Sequence, residues 1–526
     1  MSTIEATKPV IGSPPSSGSL HGLKSRALGF PTLLAQSVAL ISPTMTAVLI
    51  IPICFADSGQ GTWLAYVFGT LMLLFVVFCL NQFAKRSAMP GSMYGYTAKG
   101  LGPRAGVMSG WALIWCYTFI GVAGLTGFSI FAAQLVGSMG ISATIPPVIF
   151  FCISAALCWF VAYKDIKISS LLTLAFEGAS VACILALAAV ILFKHGFPSD
   201  TTQLKAHGMT LHDLSLAVVI TVFSLVGFES ATTLGGEARK PLVTIPRAVI
   251  ASLLITGAFM VIMSYVEVFG ASHAHVGLSG LAAPLTFLSK AYGVGFFKVP
   301  VAIGAMVSFF SLTLSCLNAG ARIIYPMAQH TVFPKPFAKS HPTNKTPHIA
   351  ISCYVLLILA VPCVLEIFTN PLTTFGDGGT LAAFGFLTAY WMITIAAPVY
   401  LKKIGELKPW NVVITVIAAL ALSVPTIGSF VPVPPYPIRI FPYIFLAWMV
   451  IGGSWLMVLS RRDKALFSEI ESDLETTMAA SVAGHAEDMG MGSIVTIEEI
   501  PMTPSVEGRP MAPTFEELDL ALEGAS

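Results

Sequence analysis

Twelve apolar runs of about 20 residues each, separated by polar loops, leave this chain few ways to fold. About 20 apolar residues is the length an α-helix needs to cross the roughly 30 Å core of a bilayer. Inside lipid, backbone N–H and C=O groups must be satisfied within the segment, so each run is expected to be a membrane-spanning helix. The runs cover approximately 33–55, 62–84, 107–135, 147–163, 168–193, 214–236, 248–269, 299–325, 349–368, 381–401, 412–430 and 440–459. Composition agrees: charged residues make up 10% of the chain, against about 25% in a soluble domain. The fold class expected is an all-α polytopic membrane protein, with the lipid bilayer as its solvent.

Lys and Arg divide unevenly between alternate loops. With both termini on one side, that side collects 23 of the 28, and the other keeps Lys194, Lys205, Lys290, Lys298 and Arg439. Basic residues stay preferentially cytoplasmic, so both termini are expected there, in the plasma or cytoplasmic membrane. Residues 1–28 form a polar N-terminal tail with no apolar core, and no cleavable signal peptide is expected. Residues 29–460 form the helical domain. Residues 461–526 form an acidic tail, holding 14 of the 26 acidic residues from Asp463 onward and expected to be largely disordered from Leu474. All nine cysteines lie in or beside apolar runs without metal-ligand spacing and read as packing residues. Leu281 to Tyr292 reads equally as a short surface helix or a connecting loop.

Two of the runs are interrupted. The sixth carries Gly227 and, two residues on, Glu229, within Phe223-Ser224-Leu225-Val226-Gly227-Phe228-Glu229-Ser230. A carboxylate at membrane depth is costly unless it finds a partner or lines a cavity, and irregular backbone there is tolerated only against protein or water. The first run carries Ser42-Pro43-Thr44-Met45-Thr46, in which Pro43 frees a carbonyl one turn earlier and the hydroxyls can serve a solute or the loosened backbone. First and sixth are corresponding members of two five-helix sets, 33–193 and 214–401, followed by two extra helices over 412–459. Corresponding breaks in two halves point to a solute site at the midplane of a 5+5 inverted repeat. Half-helix N-termini would meet an anionic group and C-terminal carbonyls a cationic one.

The run FSLVGFES resembles the aromatic-Ser-x-x-Gly-x-Glu-Ser signature of the amino acid/polyamine/organocation permeases, which share the LeuT-like fold. Met89-Pro90-Gly91-Ser92-Met93-Tyr94-Gly95-Tyr96 and Asn318-Ala319-Gly320-Ala321-Arg322-Ile323-Ile324-Tyr325, the latter running on to His341-Pro342 and Thr346-Pro347, agree with it. The resemblance implies that Phe223 is an aromatic lid, that Ser224, Leu225 and Val226 offer carbonyls to an amine, and that Glu229 sits just inside the site. It places Tyr94 beside the cytoplasmic mouth. Ser180 falls where some proton-coupled relatives carry a Lys in place of sodium. Ser-Pro-Thr-Met-Thr replaces the family's usual Gly-rich first break, which favours a solute without an α-carboxylate, and Gln329-His330-Thr331 replaces its Arg-Asp-Gly.

Carboxylates within the runs are few. Glu177 and Glu229 lie at depth, and an apolar site disfavours the charged form, which suits either to carry a proton with the solute. Asp213 and Glu267 are expected near outer ends where water reaches them. No P-loop, HExxH or GxSxG occurs, so an ATPase or hydrolase is not expected, nor a cofactor or a nucleic-acid partner. The expected activity is secondary transport of a small amine-containing solute, foremost an amino acid, by alternating access and with a proton or sodium ion. An exchanger, a polyamine or organocation transporter, and a transporter-like sensor or channel are the alternatives.

Overall fold

The computed structural model describes residues 27–476 except 89–90, 92, 141–144, 165, 195–199, 280, 282, 432, 434 and 464, together with residue 23 and the stretches 503–504 and 510–511. The first run becomes α1 (Phe30–Ile41), α2 (Pro43–Met45), a π-helical turn Thr46–Ile50 and α3 (Ile51–Ser58), and α4 (Thr62–Ala84) is the second. After the short α5 (Met93–Leu101) come α6 (Pro103–Ser138), α7 (Pro147–Lys164), α8 (Ile166–Lys194) and the single turn α9 (Thr201–Leu204). The sixth run is α10 (Leu211–Leu225) followed by a 3-10 turn Phe228–Thr233, and α11 (Pro241–His273) is the seventh. Then follow α12 (Pro284–Ala291), α13 (Lys298–Gln329), α14 (His348–Leu365), α15 (Pro371–Lys403), α16 (Pro409–Gly428) and α17 (Phe441–Arg462). Residues 466–476 form a last helix, α18. Thr503–Pro504 pairs antiparallel with Pro510–Met511.

Eleven helical stretches among the described residues are long and apolar enough to cross a membrane. The first, Phe30–Ala84, has 55 residues, more than twice the roughly 20 of one crossing, and it is divided at Gly59, whose φ of +51° no β-carbon tolerates easily. The break at Gly59 falls between the first two apolar runs. The protein is an integral, multi-pass, all-helical membrane protein, as its sequence indicates. Leu281 to Tyr292 resolves in favour of a helix, α12. The tail from Leu474 onward falls mostly outside the described residues, as do Met89, Pro90 and Ser92 of the second motif.

The core sits among α1, α6, α10, α11, α13 and α15, where most side chains are buried, and α8 packs one face against it. α7, α14, α16 and α17 carry the large exposed apolar side chains, among them Phe160, Leu356, Leu420 and Val450, and so form the lipid-facing periphery. One end of the bundle gathers the loops rich in Lys and Arg, and is called the basic face below.

Candidate functional site

Both broken helices meet at the centre. α1 ends at Ile41 because Ser42 turns left-handed, with φ +50°, while its N–H still closes on Val38 O. Pro43, next in line, has no N–H to continue the ladder. α10 ends at Leu225: Val226 is extended and Gly227 left-handed at φ +108°. A Cβ at Gly227 would lie 2.2 Å from Leu40 Cδ2, so glycine is required by space as well as by φ. The two segments are stitched together by Ser37, whose hydroxyl donates to Phe228 O at 2.8 Å and accepts from Ala231 N at 3.1 Å.

A carboxylate lies at each break. The N–H of Thr44, freed by the break in α1, donates to Glu177 Oε1 at 3.0 Å. Glu177, on α8, also accepts from the Ser308 hydroxyl of α13, and Ser308 Oγ lies 2.9 Å from Ser42 Oγ. Thr44 Oγ1 donates to Ser180 Oγ at 3.0 Å, so Ser180 joins the same polar wedge of α2, α8 and α13. At the second break, Gly227 N donates to Glu229 Oε2 at 3.1 Å. Tyr117 of α6 and Tyr390 of α15 donate to the same carboxylate at 2.8 and 2.7 Å. Three donors therefore converge on Glu229 from α6, α15 and the break itself.

The remaining residues singled out in the sequence take distinct places. Pro43, Met45 and Thr46 are buried at the first break, and Thr46 opens the π-helical turn. Leu225 and Val226 are buried at the second, where the last carbonyls of α10 have no intrahelical partner. Ser224 Oγ lies 3.3 Å from Tyr66 OH of α4. Phe223 leans on Gly379 of α15 and begins an aromatic ladder with Phe375, Phe309 and Phe131, at ring separations of 6.5, 5.9 and 5.7 Å. The ladder stands on the side of the junction away from the basic face. Tyr94 bonds toward the basic face, its hydroxyl 2.5 Å from His330 Nδ1, while His330 Nε2 meets Asp473 of α18 at 2.8 Å.

Several residues escaped the sequence reading. Tyr117, Tyr390 and Ser308 are ordinary polar residues within apolar runs, and only contact with a distant carboxylate marks them. Arg322 and Glu237 form a fully buried ion pair, 2.7 Å at its shorter contact and 0% and 1% exposed. Glu237 O also accepts the N–H groups of Ala27 and Leu28, tying the chain before α1 to the end of the sixth run. An arginine inside an apolar run calls for a partner, and that signal was available. Glu267 corrects an expectation. It is not reached by water but wholly buried; one turn on, α12 packs over α11, with Leu288 against Gly270 and Tyr292 OH donating to Gly270 O at 3.0 Å.

A family model described as "Amino acid permease" matches residues 33–455. Similar proteins include the branched-chain amino acid permease BcaP of Lactococcus lactis subsp. cremoris, 26% identical over 69% of this chain and 78% of the relative. The methylthioribose transporter of Bacillus subtilis is 23% identical over 74% and 84%, and the low-affinity putrescine importer PlaP of Escherichia coli K12 is 23% identical over 63% and 72%. The match takes in both broken helices, the three carboxyl-bearing spans and the buried ion pair, and on that extent the chain belongs to the amino acid permease family.

Proposed function

We propose that the protein is a secondary transporter that moves a small amine-containing solute, foremost an amino acid, by alternating access around the junction of Ser42–Thr46 with Ser224–Glu229, driven by a proton gradient. The observation that carries this reading is the meeting of two broken helices at buried carboxylates, with unpaired helix-end carbonyls beside them for an ammonium group. The basic face is cytoplasmic in this reading, in the plasma or cytoplasmic membrane, and 33–193 and 214–401 act as the two inverted repeats. Glu177 and Glu229 serve as gating carboxylates that hold the breaks in register. Kinship with permeases of amino acids and a putrescine importer supports an amine of this size.

One observation favours a second reading. The freed N–H of each break, Thr44 and Gly227, already donates to a protein carboxylate, at 3.0 and 3.1 Å. A solute that brings its own carboxylate would have to displace these, whereas a polyamine or other organic cation would not. Proteoliposomes offered labelled leucine, arginine and putrescine under proton, sodium and counter-solute gradients separate the readings. Accumulation of an amino acid under a proton gradient is expected. Accumulation of putrescine alone selects the second reading, and uptake only against preloaded solute makes the protein an exchanger.

A further inference from the structure

Besides Glu237, which is paired with Arg322, three carboxylates are buried in the helical core, and they differ in what holds them. Glu229 accepts from three donors and Glu177 from two. Both oxygens of Glu267 lack a hydrogen-bond partner among the described residues, and the side chain is 0% exposed. Its neighbours on α11, Val266, Val268, Phe269, Gly270 and Ala271, are buried as well. An ionised carboxylate without donors in such a place costs several kcal/mol or more, so the group is neutral or shares its charge with a cation. Tyr66 of α4 is among the titratable groups near Glu267. Tyr265 and His273 stand on α11 itself, within two turns, and Tyr292 approaches from beyond α12 through its bond to Gly270 O. Lys194 of α8 donates to Tyr292 O and Lys290 stands on α12, but neither reaches an oxygen of Glu267, so a proton is the cation left to it. The Tyr66 hydroxyl also lies 3.3 Å from Ser224 Oγ, and so ties α4 to the second break.

We infer that Glu267 is the proton-carrying site of the transport cycle: it takes a proton when the cover of α12 opens to the side opposite the basic face, holds it in this closed state, and releases it through the junction when the basic face opens. This rests on the proposed transport function, but the first test does not. Infrared difference spectroscopy of purified protein, wild type minus Glu267→Gln, should show at neutral pH the C=O stretch of a protonated carboxylic acid, shifted in heavy water, and Glu267→Asp should restore it. Coincident spectra would overturn the assignment, because Glu267 would then be ionised. In proteoliposomes, Glu267→Gln should lose accumulation driven by a proton gradient, falling to the level without a gradient, while exchange of the same solute across the membrane persists. Gradient-driven accumulation equal to wild type would also overturn it. Wild-type protein that moves none of leucine, arginine or putrescine would instead defeat the transport reading, and the spectrum would still decide Glu267.

Discussion

The junction is closed by different materials on its two sides. Away from the basic face, the closure is a ladder of four phenylalanines on α10, α15, α13 and α6. Toward the basic face it is ionic and polar, with the Arg322–Glu237 pair, backbone bonds from Ala27 and Leu28 to Glu237 O, and the Tyr94–His330–Asp473 chain. Aromatic rings slide and re-pack with losses spread over many weak contacts. A buried ion pair behaves otherwise: either partner alone is far worse off than both together, so it stays shut until water can reach both. The two sides therefore differ in what parting them would cost, spread over many weak contacts at the phenylalanines and concentrated in one pair at the basic face.

The sharpest way to break this comparison is to remove one half of the ion pair. Arg322→Met or Glu237→Gln leaves a partner buried without compensation and should cost about 3–5 kcal/mol. Combining the two should recover much of that loss, because no isolated charge remains. Thermal unfolding in detergent measures both, and single and double variants of equal stability would refute the assignment of this pair as the basic-face closure.

How much of this was legible in the sequence follows from how local each signal is. Gly227, Glu229 and Pro43 announced the breaks because a breaker and a carboxylate inside an apolar run violate the rules of a spanning helix within a few residues. The pairing of Thr44 with Glu177 was not legible, since the two lie 133 residues apart and nothing in either run specifies which helix face turns toward the other. Ser180, found by counting, does share the wedge with Glu177, because three residues apart on a helix is the same face. Glu267 was misplaced because distance from the end of a run says nothing of what lies over it, and here α12 lies over it. Tyr94 was legible as a residue of the basic face, but its link to Asp473 needs α18, in a tail expected to have little order.

A smaller effect tests the other side. Phe223 is half-buried and its ring fills the space that Gly379 leaves open. Phe223→Ala should cost about 2 kcal/mol, less than the 3–5 kcal/mol of a fully buried phenylalanine. It should also let a thiol reagent added on that side modify a cysteine placed at Ser224 more quickly. Unchanged labelling would mean that Phe375 and Phe309 close the path without it, and the contrast between a yielding lid and a rigid latch would move one rung along the ladder.

A pH-dependent effect concerns Lys99 of α5, on the basic face. Its ammonium donates to Ser87 Oγ at 3.0 Å, and burial pushes its pKa down from the ordinary 10.5 to about 7, with Glu475 of α18 opposing the shift. Between those two values the unfolded chain holds a proton that the native lysine has released. Stability therefore rises with pH across that window and the lysine adds no slope below it. Wild type should gain in melting temperature from about pH 7 to about pH 9, relative to Lys99→Met, which lacks the titrating group. A constant difference between the two proteins over that range would show that Lys99 is solvated in the native state, and that the basic face is wetter around α5 than it is around Arg322.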